Sequence, residues 1–154
     1  MIQVRPARLD DAGALAPRLR AADMQEIQAV TRQTPLEVLL GGIAASNPCA
    51  AVVDGSDRPL AVFGVVPGED PGIGVVWLLG SDELVEQPVA FLRRSRAVID
   101  GLLGRYHTLW NVVDARNEVH VRWLRWCGFV IRRTIQDHWV ERRPIHEFAR
   151  TSAR

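Results

Sequence analysis

Apolar and polar positions alternate along IQVRPA near the start of the chain, the period of a half-buried first strand. Leu15 and Leu19 then share one face of a helix expected to run to about Arg20, with Asp10 or Asp11 placed to cap it. MQEIQAV predicts a short helical piece. In TPLEVLLGGIAAS, Thr34 precedes Pro35 and stands three residues before Glu37, the spacing of a capping box with proline in the first turn. CAAVVD, LAVFGVV and IGVVWLLG predict three successive strands separated by the turns GSDRP and PGEDPG. The third is wholly apolar, as a central strand covered on both faces would be. Pro88 opens a long helix, PVAFLRRSRAVIDGLLGRY, in which Val89, Leu92, Ile99, Leu102, Leu103 and Tyr106 share a face. TLWNVVDA predicts another strand. The next stretch, NEVHVRWLRWCGF, predicts a helix with Val119, Trp123 and Trp126 on its core side, and FVIRRTIQDHWVERR finishes as a strand or hairpin.

The order is strand, two helices, three strands, helix, strand, helix, strand. It predicts an α/β fold on a mixed sheet with helices on both faces. The strands at 73–80 and 109–115 are expected to be parallel neighbours, joined by helix 88–106 crossing in the right-handed sense. No repeat or linker interrupts the pattern, so residues 1–154 are expected to form one domain, and 47% hydrophobic residues suffice for its core. No apolar run approaches the roughly 20 residues that span a bilayer, and MIQVRPARLDD lacks the features of a signal peptide or presequence. No membrane association is expected.

Charge adds an asymmetry. All 19 basic residues are arginines. Residues 1–92 hold 6 of them against 12 acids, and residues 93–154 hold 13 against 6 acids. Arginine pairs with carboxylates through two parallel hydrogen bonds, so Arg93, Arg94, Arg142 and Arg143 are candidates to dock an acidic protein surface or the acidic part of another copy. They are expected to be exposed. Cys49 and Cys127 match no metal or redox spacing and read as buried, reduced residues. His107, His120, His138 and His146 show no ligand spacing, so no metal is expected. Arg122, Trp123, Arg125 and Trp126 interleave as a base-stacking surface would, but a core role for the tryptophans weighs against nucleic acid.

Asn117 can cap the helix that follows it, Gly128 can end that helix in a left-handed conformation, and Phe129 opens the next strand. This Asn, with Gly-Phe following the helix, and the order of elements together resemble the GNAT acyltransferase fold over nearly the whole chain. At finer grain FLRRSR, VDARN, RWL…GF and the terminal EFAR resemble small phage-encoded GNAT-like proteins, some described as internal virion proteins and others as acetyltransferases. That resemblance implies a location in a virion or the host cytoplasm, and partners that are phage virion components or further copies of the chain.

An acyl-CoA enzyme of this fold needs backbone amides for a pyrophosphate, a base for the amine and an acid for the leaving thiolate. The family's turn before the long helix has the form Arg/Gln-x-x-Gly-x-Gly/Ala. Here it is GSDELVEQP, with no glycine after Gly80 and with Asp82, Glu83 and Glu86 where the pyrophosphate would lie. Two like charges ~4 Å apart repel by roughly 4 kcal/mol at an effective dielectric of 20. The family's tyrosine, seven residues after the Asn, is replaced by Leu124, which has no proton to give, and Tyr106 reads as packing. IGVVWLLG offers no base. Glu69, Asp70 and Asp114 are acids near strand ends, each more simply a turn or capping residue. If the chain is active, the resemblance makes Asp114 and Asn117 the catalytic candidates and Leu78, Leu79, Gly80 and Asn117 the acetyl-CoA contacts. The expectation is a catalytically degenerate GNAT-fold protein that docks other proteins, with no cofactor and any acetyl-CoA binding weaker than about 1 mM. The alternative is an acetyl-CoA-dependent N-acetyltransferase with an atypical cofactor loop; a nucleic-acid-binding module is weaker still.

Overall fold

β3 (Pro59–Pro67) and β4 (Ile73–Gly80) form the spine of a seven-stranded sheet in a computed structural model that describes residues 2–85, 88–137 and 139–152. The order is β1 (Gln3–Pro6), β2 (Cys49–Val53), β3, β4, β5 (Thr108–Asp114), β7 (Ile145–Thr151), β6 (Val130–Ile135). β4 and β5 pair in parallel, as expected, and every other neighbouring pair is antiparallel.

The end of the sheet departs from the sequence expectation. FVIRRTIQDHWVERR supplies only β6, and IHEFART adds a seventh strand inserted between β5 and β6. Burial follows the order. β7 pairs with β5 along seven residues and with β6 on its other edge. Its Ile145, Phe148 and Ala149 are buried, whereas most of β6, at the sheet edge, is exposed although each strand carries three apolar residues.

α1 (Leu9–Leu15) stops well before Arg20 because Pro17 starts a separate 3-10 turn over Ala16–Arg18. Its N-cap is Arg8, and Asp11 accepts the Arg8 N–H at 2.8 Å from within the first turn. α2 spans Ala21–Val30 and α3 spans Pro35–Ala45. The expected capping box is present: Thr34 Oγ1 accepts the Glu37 N–H and Glu37 Oε1 accepts the Thr34 N–H, each at 3.1 Å. α1 and α3 cover one sheet face through Leu15 and Leu39. A short α4 (Asp82–Val85) precedes α5 (Pro88–Leu102), which covers the other face together with α6 (Glu118–Trp126). Ile99, Leu102 and Tyr106 are buried as expected, although the helix ends at Leu102; the side chains of Val89 and Leu92 lie outside the described residues.

α6 has the expected ends. Asn117 Oδ1 accepts the His120 N–H at 3.3 Å, and Gly128 takes φ 90°. Its buried face is different from the expected one. Leu124 packs with Phe129 and Phe148, while Val119 and Trp126 are 57% and 48% exposed. At 100° per residue these two lie about 140° and 160° around the helix from Leu124 and so face outwards. Arg96 lies 5.2 Å over the Trp126 ring.

Candidate functional site

The β4–β5 ladder stops after Ile73–Thr108, Gly74–Leu109 and Val75–Trp110, although the strands run on to Gly80 and Asp114. Asn111 ends it. Its Nδ2 donates to Val76 O at 2.8 Å and its Oδ1 accepts the Val112 N–H at 2.7 Å, so a side-chain amide fills the place of the next rung. Beyond it the strands diverge.

The β3–β4 register determines what faces the gap. Ser81 N–H bonds Leu60 O, and Ile73 O accepts from Gly68 N–H, so the odd-numbered residues from 73 to 81 point their amides at β3. Val76, Leu78 and Gly80 therefore turn theirs towards β5. Val76 O is taken by Asn111. Gly80 is taken by the chain before and within α2: its N–H donates to Asp23 Oδ2 at 2.8 Å and its carbonyl accepts the Arg20 N–H at 2.9 Å. Asp23 is 1% exposed and pairs with Arg20 at 2.8 Å. Leu78 is the position whose N–H and C=O open onto the gap. Of the three expected β4 contacts, Leu78 presents its backbone to the gap, Leu79 is among the residues that line it, and Gly80 is engaged elsewhere.

A cavity of about 210 Å³ occupies this space. Its walls are largely apolar, with Glu26, Arg94, Asn111, Asp114 and His120, besides the hydroxyl residues Thr31 and Ser95, as polar or charged members. Glu26, His120 and Asn117 converge at one end. Asn117 Nδ2 donates to Glu26 Oε1 at 2.9 Å. His120 Nδ1 lies 3.6 Å from the same oxygen, within charge–charge reach but too long for a hydrogen bond. Among the described residues, it is the buried side-chain polar atom without a hydrogen-bond partner. The ring also lies against Trp123, with centroids 5.4 Å apart.

Asp114 lines the cavity but is committed to the β5–α6 turn. It is 2% exposed, accepts the Arg116 N–H at 2.9 Å and pairs with the Arg116 guanidinium at 2.6 Å. Burial pushes its carboxyl up, and the Arg116 bonds outweigh this and hold it below the usual carboxylate range. A base kept ionised by its own ion pair is a poor proton acceptor, so the structure argues for a turn role. Asp70 accepts the Gly72 N–H in an exposed turn shared with Glu69, remote from the gap. Leu124 is 2% exposed, and Tyr106 is buried with its hydroxyl donating to Asn47 O; neither supplies an acid.

The loop before α5 also differs from expectation. Glu83 pairs with Arg18 at 2.9 Å and with Arg58. The bond from Arg18 leads in holding its carboxyl below the ordinary value. Two guanidiniums therefore offset one of the three acids expected to repel a pyrophosphate; Asp82 is exposed, and Glu86 lies outside the described residues. The amides of Ser81 and Leu84 are already bonded to Leu60 O and Ser81 O.

The remaining candidates do not assemble into a site. Burial pushes the Cys49 thiol up to about 11 and raises that of Cys127, so neither is an activated nucleophile. His107 and His146 bond to Thr108 and Thr134 at 2.9 and 2.7 Å, His138 lies outside the described residues, and no metal-binding cluster occurs among the described residues. Arg93, Arg94, Arg142 and Arg143 are exposed, with Arg143 Nε 3.3 Å from Glu141 Oε1. No helix among the described residues is long and apolar enough to cross a membrane.

Sequence reasoning missed three residues here. Asn111 was visible as a lone amide inside an apolar strand. His120 was visible as the position one helical turn before Leu124, on the same face. Glu26 had no local signal.

The seven-stranded mixed sheet with helices on both faces matches the GNAT fold of solved acetyltransferases. In particular, the structure is similar to a GNAT-family acetyltransferase from Bacillus anthracis, with a TM-score of 0.72 at 9% identity, covering 97% of this chain and 94% of that one. It is similar to the spermidine N-acetyltransferase from Vibrio cholerae in complex with CoA and spermine, with a TM-score of 0.73 at 13% identity, covering 97% and 95%. The ribosomal-protein-S5-alanine acetyltransferase from Vibrio fischeri gives 0.71 at 16% identity, covering 99% and 93%. At these identities the likeness is one of fold. No protein-family profile and no curated protein matches the sequence.

Proposed function

We propose that the protein is a GNAT-fold acyltransferase that moves an acyl group from a thioester such as acetyl-CoA to an amine in the β4–β5 gap. The observation that carries this reading is the interruption of the ladder at Asn111, which leaves the Leu78 N–H and C=O facing an apolar slot. An extended arm bearing amides, such as pantetheine, can add to β4 there as a further strand segment does. The Vibrio cholerae neighbour, which holds CoA and spermine, supports the same reading. The fit is to the arm rather than to the phosphates, because the loop before α5 lacks glycines and uses the Ser81 and Leu84 amides internally.

Calorimetry with acetyl-CoA and with acetyl-pantetheine tests this. Both should bind with Kd between about 10 µM and 1 mM, or about −7 to −4 kcal/mol, and within about tenfold of each other. No binding of either thioester at millimolar concentration, and no thiol released in the presence of amines, would sink the reading.

A docking role is the second reading, and the exposure of Arg93, Arg94, Arg142 and Arg143 favours it. Exposed apolar side chains, Val119, Trp126 and Val130, accompany them in this half of the chain. The partner would carry carboxylates and be a phage virion component or a further copy of this chain.

A further inference from the structure

We propose that His120 is the proton carrier of the site, base towards the attacking amine and acid towards the leaving thiolate, with Glu26 and Asn117 positioning it. This rests on the acyl-transfer reading. Buried polar atoms are almost always hydrogen-bonded, and an exception calls for an account. His120 Nδ1 is buried without a partner, on a residue that lines the cavity. Glu26 Oε1 lies 3.6 Å away and is held by the Asn117 amide at 2.9 Å. One nitrogen placed beside both atoms can donate an N–H to each, so the pair is shaped to receive a primary amine.

The other groups facing His120 leave it the task. From α5, Arg94 cannot act as a base. From β5, Asp114 is bonded to Arg116. On α6 itself, Leu124, at the position where the resemblance expects an acid, has no proton. His120 lies four residues earlier on the same face, so its ring addresses the same gap.

The step balances with this one group. The nitrogen of a free amine bonds the thioester carbonyl carbon, the C–S bond breaks, and sulfur leaves with the electron pair. The surplus proton on nitrogen passes to His120 Nδ1 and from there to sulfur. Amine and thioester become amide and thiol, and the imidazole returns to its neutral form.

The test uses the full chain, acetyl-CoA and a set of primary amines, with thiol release followed from pH 6 to 9. His120→Gln should keep its acetyl-CoA Kd within about threefold by calorimetry, which reports an intact gap, while kcat falls roughly 100-fold or more. Its residual rate should keep rising with pH where the wild-type rate levels off. Glu26→Gln should raise the KM for amine and lower kcat roughly tenfold, the smaller effect of losing a positioning group. Thiol release by His120→Gln within about threefold of wild type overturns the proposal, as does a wild type that binds acetyl-CoA but transfers to none of the amines. A wild type that does not bind acetyl-CoA sinks the acyl-transfer reading itself, and that is seen before any variant is made.

Discussion

The side-chain amide of Asn111 stands between Val76 and Val112, donating to the carbonyl of the first at 2.8 Å and accepting the N–H of the second at 2.7 Å. In an uninterrupted parallel ladder Val112 N–H would reach Val76 O directly. The inserted amide satisfies both backbone groups while holding the strands apart, so the gap costs no unpaired backbone at its apex.

Asn111→Ala should let β5 close onto β4. Side-chain bonds are lost and a ladder bond is gained, so stability should change by about 1 kcal/mol or less, roughly 2–4 °C in Tm for a chain of this size. Acetyl-pantetheine affinity should fall at least about tenfold as the slot narrows. Asn111→Asp keeps the acceptor but sets a carboxylate against the Val76 carbonyl, and should cost about 2 kcal/mol at pH 7. Thermal melts and calorimetry on the two variants measure both effects. An alanine variant with wild-type affinity would show that the amide does not hold the gap.

Asp23 should be among the residues least tolerant of substitution. It is buried, accepts the Gly80 N–H at 2.8 Å and neutralises Arg20. Asp23→Ala leaves a buried amide without its acceptor and a half-buried guanidinium without its partner, an expected loss of about 2–4 kcal/mol in urea unfolding. Asp23→Asn can still accept from Gly80 and should lose about half as much. Equal losses would assign the whole effect to the ion pair.

Acid should destabilise the fold in a defined window. Burial pushes the Asp11 carboxyl up, but the bonds from Arg5 and the Arg8 N–H outweigh it and hold it below its ordinary value; Asp114 behaves alike with Arg116. A carboxyl lowered on folding adds stability that is present above its unfolded value near 4 and is lost as pH falls through its folded value. The urea midpoint should therefore be flat between about pH 7 and 5 and drop below about pH 4. Arg5→Met removes the strongest support of Asp11 and should shrink that drop; an unchanged profile would mean that other groups govern it.

The docking reading has its own measurement. Changing Arg93, Arg94, Arg142 and Arg143 together to glutamate should weaken self-association or partner capture in sedimentation and pull-down experiments, with little change in Tm, because exposed pairs contribute only about 0–1 kcal/mol. A variant that unfolds while its folded fraction still associates normally would make these arginines internal struts.

Much of the fold was legible because its signals are local. The Thr34–Glu37 capping box, Asn117 as a cap and Gly128 at φ 90° each follow from a few adjacent residues and the geometry of a helix end. The apolar run IGVVWLLG likewise required cover on both faces, and β4 takes a central position in the sheet. Periodicity could not say which neighbour would cover a stripe. Val119, Trp123 and Trp126 form an apolar face on paper, yet α6 packs through Leu124 and leaves two of the three outside. Nor could it order the last strands: VIRRTI and IHEFART carry three apolar residues each, and only the seven-residue pairing of β7 with β5 places β7 inside and leaves β6 at the edge. Single members of the candidate site had local signals, but their assembly belongs to the tertiary structure. Asn117 and Glu26 are 91 residues apart and meet only because α2 lies over the gap that Asn111 opens, a contact set by packing and invisible to any local rule.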